Sequence, residues 1–358
     1  MRLGLERMRA LLARLGNPQR SYPAIHVVGT NGKSTTTRMV EALLLGDGLR
    51  VGSYVSPHVV RFAERIRVVG EEADLDGLLE RIAPEVEVVD DEAGDRVTQF
   101  EVLTAAAFLA FAEASVEAAV VEAGLGGRHD ATNVLEASVV CLTNVGLDHA
   151  RHLGPTRETI AAEKLAVVRP GATVVLGEPG WEEAARAAGA RRVVAAEGNL
   201  GVAAAAAQAF LGHPVDTRAA VAVRLPGRLE QVAEAPLELW DGAHNPEGVR
   251  YLLAELPRRQ FVLVASILRD KRVDEMLELF SRVAPALIAT SSRNPRALHA
   301  KELARLARPF FSEVKAIDDP LAALISAREA AGLAGAVLVS GSLYLLADLA
   351  AVRPLRLP

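Results

Sequence analysis

The sequence contains a single cysteine, Cys141, so no disulfide can form within the chain. Lysine is also scarce: Lys33, Lys164, Lys271, Lys301 and Lys315 stand against 35 arginines. Aromatic residues make up 4%. No basic block suits a nucleic-acid partner and there is no acidic tail, because the net charge of -5 is spread over both signs. No apolar run is long enough to span a membrane. Met1 to Leu15 alternates arginine with Leu3, Leu5, Met8, Leu11, Leu12 and Leu15, the pattern of an amphipathic helix and not of a signal peptide. A cytoplasmic protein without membrane or nucleic-acid partners is expected.

Half of the 358 residues are hydrophobic and 24% are charged, which predicts a well-packed core of a size that suits two domains. Cys141 lies in the apolar run Ser138-Val139-Val140-Cys141-Leu142 and is expected to be buried and inert. Ala203 to Ala207, between Val202 and Gln208, read as a packed helix segment. The chain uses arginine wherever a generic positive charge will do, so each lysine raises the question of what arginine could not do there.

Short apolar runs alternate with helical patterns. Strands are expected at Ala24–Val28, Ala118–Glu122, Val139–Thr143 and Thr173–Gly177, and helices at Lys33–Leu45, Thr98–Glu113 and Glu158–Val168. This alternation predicts a parallel sheet with helices on both faces. Turn residues cluster from Gly212 to Arg228, so we place a linker at 213–227 between a domain of residues 1–212 and one of residues 228–358. Beyond it, strands are expected at Leu237–Trp240, Phe261–Ala265, Ala286–Thr290 and Ala336–Ser340, and helices near Pro246–Glu255, Val273–Ser281, Lys301–Leu306 and Leu321–Ala331. A second, smaller α/β domain follows from this.

Gly29-Thr30-Asn31-Gly32-Lys33-Ser34-Thr35 follows a strand and opens a helix, which is the context a phosphate loop requires. Its glycines let backbone N–H groups point inward, and the helix N-terminus adds partial positive charge. Lys33 can reach the outer phosphates of ATP, and Ser34 or Thr35 can present a hydroxyl to Mg²⁺. The spacing is tighter than in the common P-loop, and an ordinary glycine turn capping a helix is the alternative. Glu122 closes an apolar strand just before Gly124-Leu125-Gly126-Gly127, where open α/β sheets place their ligands; a solvated acid is the alternative there. Asp148-His149 follows the strand Val139–Thr143 and can share the same edge, although a structural histidine fits the spacing equally well.

Further matches run in order along the chain: Leu15-Gly16-Asn17-Pro18, Ser56-Pro57-His58, Glu64-Arg65-Ile66, Thr98-Gln99-Phe100-Glu101, Gly124 to Arg128, Asp130-Ala131-Thr132-Asn133, Leu147-Asp148-His149 and Glu163-Lys164. Pro226-Gly227-Arg228, Asp241-Gly242-Ala243-His244-Asn245-Pro246, Asp270-Lys271 and Gly341-Ser342-Leu343-Tyr344 complete the series. From about Leu11 onward the chain resembles the folylpolyglutamate synthases, including bifunctional dihydrofolate synthases, of the Mur ligase superfamily. The resemblance implies a P-loop, parallel-sheet ATPase domain of the Mur ligase central type, followed by a Rossmann-like domain. It also implies a monomer.

The resemblance assigns roles to matching positions. Asn31 to Thr35, Asn199, Arg228, Asp241 and His244 would bind ATP, with the nucleotide between the domains. Ser56 and Glu122 would hold one Mg²⁺. His149 and Lys164 would hold a second, with Lys164 carbamylated by CO₂, a reaction closed to arginine, which stays protonated. Read without the family, Lys164 is a helix-surface cation. Thr98, His129, Asp130 and Ala131 would line the pterin side. Lys33, Glu122, His149 and Lys164 form the catalytic set.

The implied activity is ATP-dependent ligation of L-glutamate to a folate carboxylate, and to dihydropteroate in bifunctional members, through an acyl phosphate. Two features depart from the family pattern. Ser34 stands where the family usually has glycine, and muramyl ligases have serine or threonine there, so a muramyl-type ligase acting on a UDP-linked substrate is the alternative. The segment from Lys164 to Asn199 is also short. A nucleotide-dependent binding protein without ligase activity is a third reading, which the presence of Glu122, His149 and Lys164 argues against.

Overall fold

The computed structural model describes residues 4–352. It divides into two units, the first ending at Val223 and the second beginning at Arg224. In the first unit the strands are β1 (Ala24–Val28), β2 (Val51–Tyr54), β3 (Ile66–Val68), β4 (Glu71–Glu72), β5 (Ala118–Glu122), β6 (Val139–Leu142), β7 (Thr173–Leu176) and β8 (Arg192–Ala195). They form one eight-stranded sheet in the order β4-β3-β2-β5-β1-β6-β7-β8. Pairing is parallel from β2 to β8, and β3 and β4 add an antiparallel edge.

Successive side chains of a strand point to opposite faces, and here both faces are buried. Ala24 and Val28 join one core with Val121, Val140 and Leu142, while Ile25 and Val27 join another with Val120, Val139 and Cys141. The Cys141 thiol is fully buried, and burial pushes it up to about 12, so it is inert as expected. Helices Glu6–Arg14, Leu75–Ala93, Gln99–Glu113 and Arg157–Leu165 cover the first face. Helices Lys33–Gly46 and Gly198–Leu211 cover the second. The alanine run lies in the last of these, where Ala203, Ala206 and Ala207 are fully buried.

The helix Leu75–Ala93 and the strands β3, β4 and β8 fall where no element was expected. Pro84 sits inside that helix and argues locally against it, yet burial of Leu78, Ile82 and Val89 holds it. Strands β3 and β4 are too short to show a period.

The second unit carries β9 (Glu230–Glu234), β10 (Leu237–Trp240), β11 (Val262–Ala265), β12 (Ala286–Ala289), β13 (Glu313–Ala316) and β14 (Ala336–Ser340). Their order is β13-β12-β11-β14-β10-β9, parallel except for β9. Helices Pro246–Glu255, Val273–Ser281, Ala300–Ala307 and Pro320–Ala331 alternate with them, close to the expected bounds. The Asn245 side chain accepts the Gly248 N–H at 2.7 Å and Pro246 takes the first helical position, as the Asn-Pro pair predicts. Glu238 is fully buried on β10 and is held by Arg328 and by the Trp240 indole N–H, each at 2.7 Å. No described helix is long and apolar enough to cross a membrane.

One close approach sets the spacing between β2 and the helix Gln99–Glu113. A Cβ on Gly52 would lie 2.3 Å from the Phe111 ring, itself fully buried and edge-on to Tyr22. Gly52→Ala is expected to destabilise the chain by about 1–3 kcal/mol through overpacking. Urea denaturation measures this, and an unchanged midpoint would show that the ring yields freely.

Candidate active site

The C-terminal ends of β1, β5 and β6 are adjacent in the sheet, so the loops leaving them meet at one edge. After β1 the chain enters Gly29–Gly32, and the helix Lys33–Gly46 begins with Gly32 as its N-cap. Gly32 has φ +79, and a Cβ there would lie 2.3 Å from Asn199 Oδ1. Among the described residues no side chain caps the start of this helix, so its first-turn N–H groups can receive an anion without competition from a capping oxygen. Asn31 to Thr35 are all partly exposed. Lys33 Nζ leans back over the loop, 3.4 Å from the Thr30 carbonyl.

The loop is held from the β6 side. Asn144 accepts the Thr30 N–H on its backbone carbonyl at 3.0 Å and the Asn31 N–H on its side chain at 2.9 Å. The Thr143 hydroxyl donates to the Asn31 carbonyl at 2.6 Å, and the Gly146 N–H donates to the Thr30 hydroxyl at 2.9 Å. Asn199, at the start of the helix Gly198–Leu211, adds its side chain 3.5 Å from the Thr36 hydroxyl. Asn144 was not among the expected site residues. Its signal is the same as that of Glu122, a polar residue directly after an apolar strand.

Glu122 is buried at the end of β5. Its Oε2 accepts the Ser56 N–H at 3.0 Å, and its Oε1 lies 3.9 Å from Lys33 Nζ. Lys164 is 3% exposed, and its Nζ donates to the Gly29 carbonyl at 2.7 Å. Burial first, and then the charge of Lys33, lower this amine to about 7 against the pull of Asp148, Asp130 and Glu163. Read from composition, Lys164 would be a helix-surface cation; its burial against Gly29 contradicts that. His149 is partly exposed, with left-handed backbone at φ 53, and its N–H donates to Asp148 Oδ1 at 2.9 Å. The loop carrying His149 is anchored by Glu178, whose Oε1 accepts the Val145 N–H, Arg157 and the Trp181 indole N–H at 3.0, 2.7 and 2.6 Å.

The glycine turn after Glu122 seats directly on the helix that carries Lys164. A Cβ on Gly127 would lie 2.6 Å from the carbonyl oxygens of both Glu163 and Lys164. Beyond the turn, His129 is exposed while Asp130 and Ala131 are buried. Burial raises the Asp130 carboxyl above its ordinary range. Its oxygens accept the Leu125 N–H at 2.7 Å, the Thr132 N–H at 3.0 Å and the Thr132 hydroxyl at 2.5 Å. Thr98 caps the helix Gln99–Glu113, and its hydroxyl donates to Glu101 at 2.8 Å. Both Thr98 and Asp130 therefore shape their loops.

Arg228, Asp241 and His244 cluster within the second unit. Asp241 Oδ2 accepts the Leu229 N–H and Oδ1 the Ala243 N–H, each at 2.8 Å. Burial raises this carboxyl, and Arg228 opposes the shift. His244 Nδ1 lies 2.8 Å from the Gly242 carbonyl.

Residues 27–176 match the Mur ligase middle domain, and residues 227–343 match the Mur ligase glutamate ligase domain. The chain is 32% identical to the dihydrofolate synthase/folylpolyglutamate synthase of Bacillus subtilis over 97% of its own length and 94% of the relative's. The chain belongs to the dihydrofolate synthase/folylpolyglutamate synthase family. A folylpolyglutamate synthase of Mycobacterium tuberculosis complexed with ADP superposes with a TM-score of 0.90 at 32% identity, covering 98% of this chain and 95% of that one. The bifunctional synthase of Yersinia pestis, complexed with AMPPNP and a manganese ion, gives 0.86 at 29% identity, covering 98% and 93%. These relatives are folate enzymes, so the muramyl reading raised by Ser34 is not favoured. Family membership makes this chain an ATP-dependent ligase.

The buried amine gives this family member a pH signature. Lys164 regains its ordinary value of 10.5 on unfolding, so between about pH 7 and that value the unfolded chain binds a proton that the folded chain has released. The folded state therefore gains stability from this residue as pH rises through that window. Lys164→Met is expected to raise stability at pH 7 and to flatten the slope between pH 7 and 9 in CO₂-depleted buffer. Denaturant midpoints at the two pH values measure this, and parallel slopes in both proteins would contradict it.

Proposed function

We propose that this chain joins L-glutamate to a folate carboxylate with cleavage of ATP to ADP and phosphate, and that dihydropteroate is a second acceptor. The observation that carries the reading is the meeting of an uncapped phosphate loop, Glu122 and Lys164 at the ends of adjacent parallel strands. An oxygen of the acceptor carboxylate attacks the γ-phosphorus and ADP leaves, giving an acyl phosphate. The glutamate amine then attacks the acyl carbon, the carbon–oxygen bond to phosphate breaks, and the amine gives up a proton. The protein's part is positioning and charge neutralisation. The helix N–H groups and Lys33 receive the phosphates, while Asn144 and Asn199 keep the loop in shape.

Mg²⁺ takes one or two carboxylates and completes its shell with phosphate oxygens and water. Ser56 and Glu122, already joined by a hydrogen bond, would hold one ion, and His149 with a carbamate on Lys164 a second. When bound, the ions offset the negative charge of the phosphates and carboxylate. The lowered Lys164 amine supports the carbamate. The neutral nitrogen adds to the carbon of CO₂ and loses a proton, which leaves an anion beside Lys33.

Phosphate release with ATP, L-glutamate and one of tetrahydrofolate, dihydropteroate or a muramyl nucleotide tests the activity. Glutamate-dependent release with tetrahydrofolate is expected, and release with the muramyl nucleotide alone would overturn the reading. Lys164→Ala should lower kcat by about 10²–10³. Bicarbonate should not restore it, and acetate should do so in part; full activity of the variant would end the carbamate proposal.

A further inference from the structure

The strand β1 carries one polar side chain, His26, which points to the same face as Ala24 and Val28 and is 1% exposed. Its Nε2 lies 2.8 Å from the Thr132 hydroxyl oxygen, and that oxygen lies 2.5 Å from Asp130 Oδ1. His26 Nδ1 has no partner among the described residues. Burial and the nearby Arg169 charge keep the imidazole neutral. A neutral imidazole carries one N–H, and Thr132 has one proton to give. If that proton goes to the Asp130 carboxylate, the hydroxyl oxygen can only accept from His26. The network thus assigns the hydrogen to Nε2 and leaves Nδ1 as the bare acceptor.

Asp130 in turn holds the loop from Gly124 to Val134. Its side chain accepts the Leu125 and Thr132 N–H groups, its N–H donates to the Gly127 carbonyl at 3.1 Å, and its carbonyl accepts the Asn133 N–H at 2.8 Å. The far end of the same loop is held by Arg169, which donates to the Asn133 carbonyl and side-chain oxygens at 2.7 and 2.9 Å. Among the described residues, the rigid strand β1 therefore reaches the loop through one side-chain donor, His26 Nε2. We propose that His26 is a positioning residue, whose Nε2–H locks the Thr132 hydroxyl onto Asp130 and so holds the 124–134 loop in the shape that receives the acceptor substrate. The inference rests on the proposed placement of the acceptor against His129, Asp130 and Ala131.

The test compares His26→Leu, His26→Gln and Thr132→Val with the unaltered chain. It reads KM for tetrahydrofolate and for ATP, kcat, and hydrogen exchange of the peptide spanning 124–134. His26→Leu should raise the tetrahydrofolate KM about tenfold, hold the ATP KM within about twofold and speed exchange about tenfold, as loss of one buried hydrogen bond predicts. His26→Gln, whose amide N–H has comparable reach, should bring both readouts back to within about threefold. The double variant His26→Leu/Thr132→Val should be no worse than Thr132→Val alone, because the two act in series. Where His26→Leu fails to fold, His26→Asn keeps a polar side chain too short to reach Thr132 and should behave as the leucine variant does. Unchanged exchange, or equal changes in the two KM values, would overturn the proposal. Faster exchange with an unchanged acceptor KM would instead refute the placement of the acceptor on this loop and leave the His26 chain standing.

Discussion

Lys164 Nζ lies 2.7 Å from the carbonyl of Gly29, in a place almost closed to water. A buried ammonium or amine without a partner is costly, so this bond fixes where the helix Arg157–Leu165 sits relative to the phosphate loop. The same helix presents its Glu163 and Lys164 carbonyls to Gly127, which leaves no room for a side chain there. The position of one amine thus determines two loops, the one after β1 and the one after β5. Asn144 and Thr143 clamp the first of these from the other side, and Glu178 anchors the chain that follows them.

The arrangement works because the strands are parallel. Every chain segment that leaves β1, β5 and β6 does so at the same edge, so residues far apart in sequence arrive together without long loops. Glu122 and Lys33 are brought within 3.9 Å in this way, and Ser56 reaches Glu122 from β2. Lys33 and the uncapped helix N-terminus suit a triphosphate. The proposed carbamate would place a negative charge at the second lysine, Lys164, and make a place for a cation as well. One amine can serve both states only if it is lysine, in a chain that otherwise prefers arginine by seven to one.

How far each feature was legible in the sequence follows from how local its cause is. Strands β1, β5, β6 and β7 are buried on both faces and stand out as unbroken apolar runs. Leu75–Ala93 does not, because Pro84 and the acids near its end speak against a helix that tertiary burial nevertheless enforces. The phosphate loop and Glu122 are legible because a glycine turn after an apolar strand is a local signal. Lys164 is not, since its partner lies 135 positions away, and its importance comes from the family resemblance alone. Glu178 and the link from His26 to Thr132 are not legible for the same reason: each acts through a contact that exists only once the sheet has formed. Ser34, the one departure in the loop, sits in the first turn of the uncapped helix Lys33–Gly46 and is partly exposed.

The central claim is that ATP activates the acceptor's carboxylate at this edge. The direct test supplies an acceptor with both oxygens of its carboxylate labelled with ¹⁸O, together with ATP and L-glutamate, and weighs the released phosphate. Activation through an acyl phosphate predicts that each phosphate carries one labelled oxygen. Unlabelled phosphate, formed alongside a new amide bond, would contradict the account.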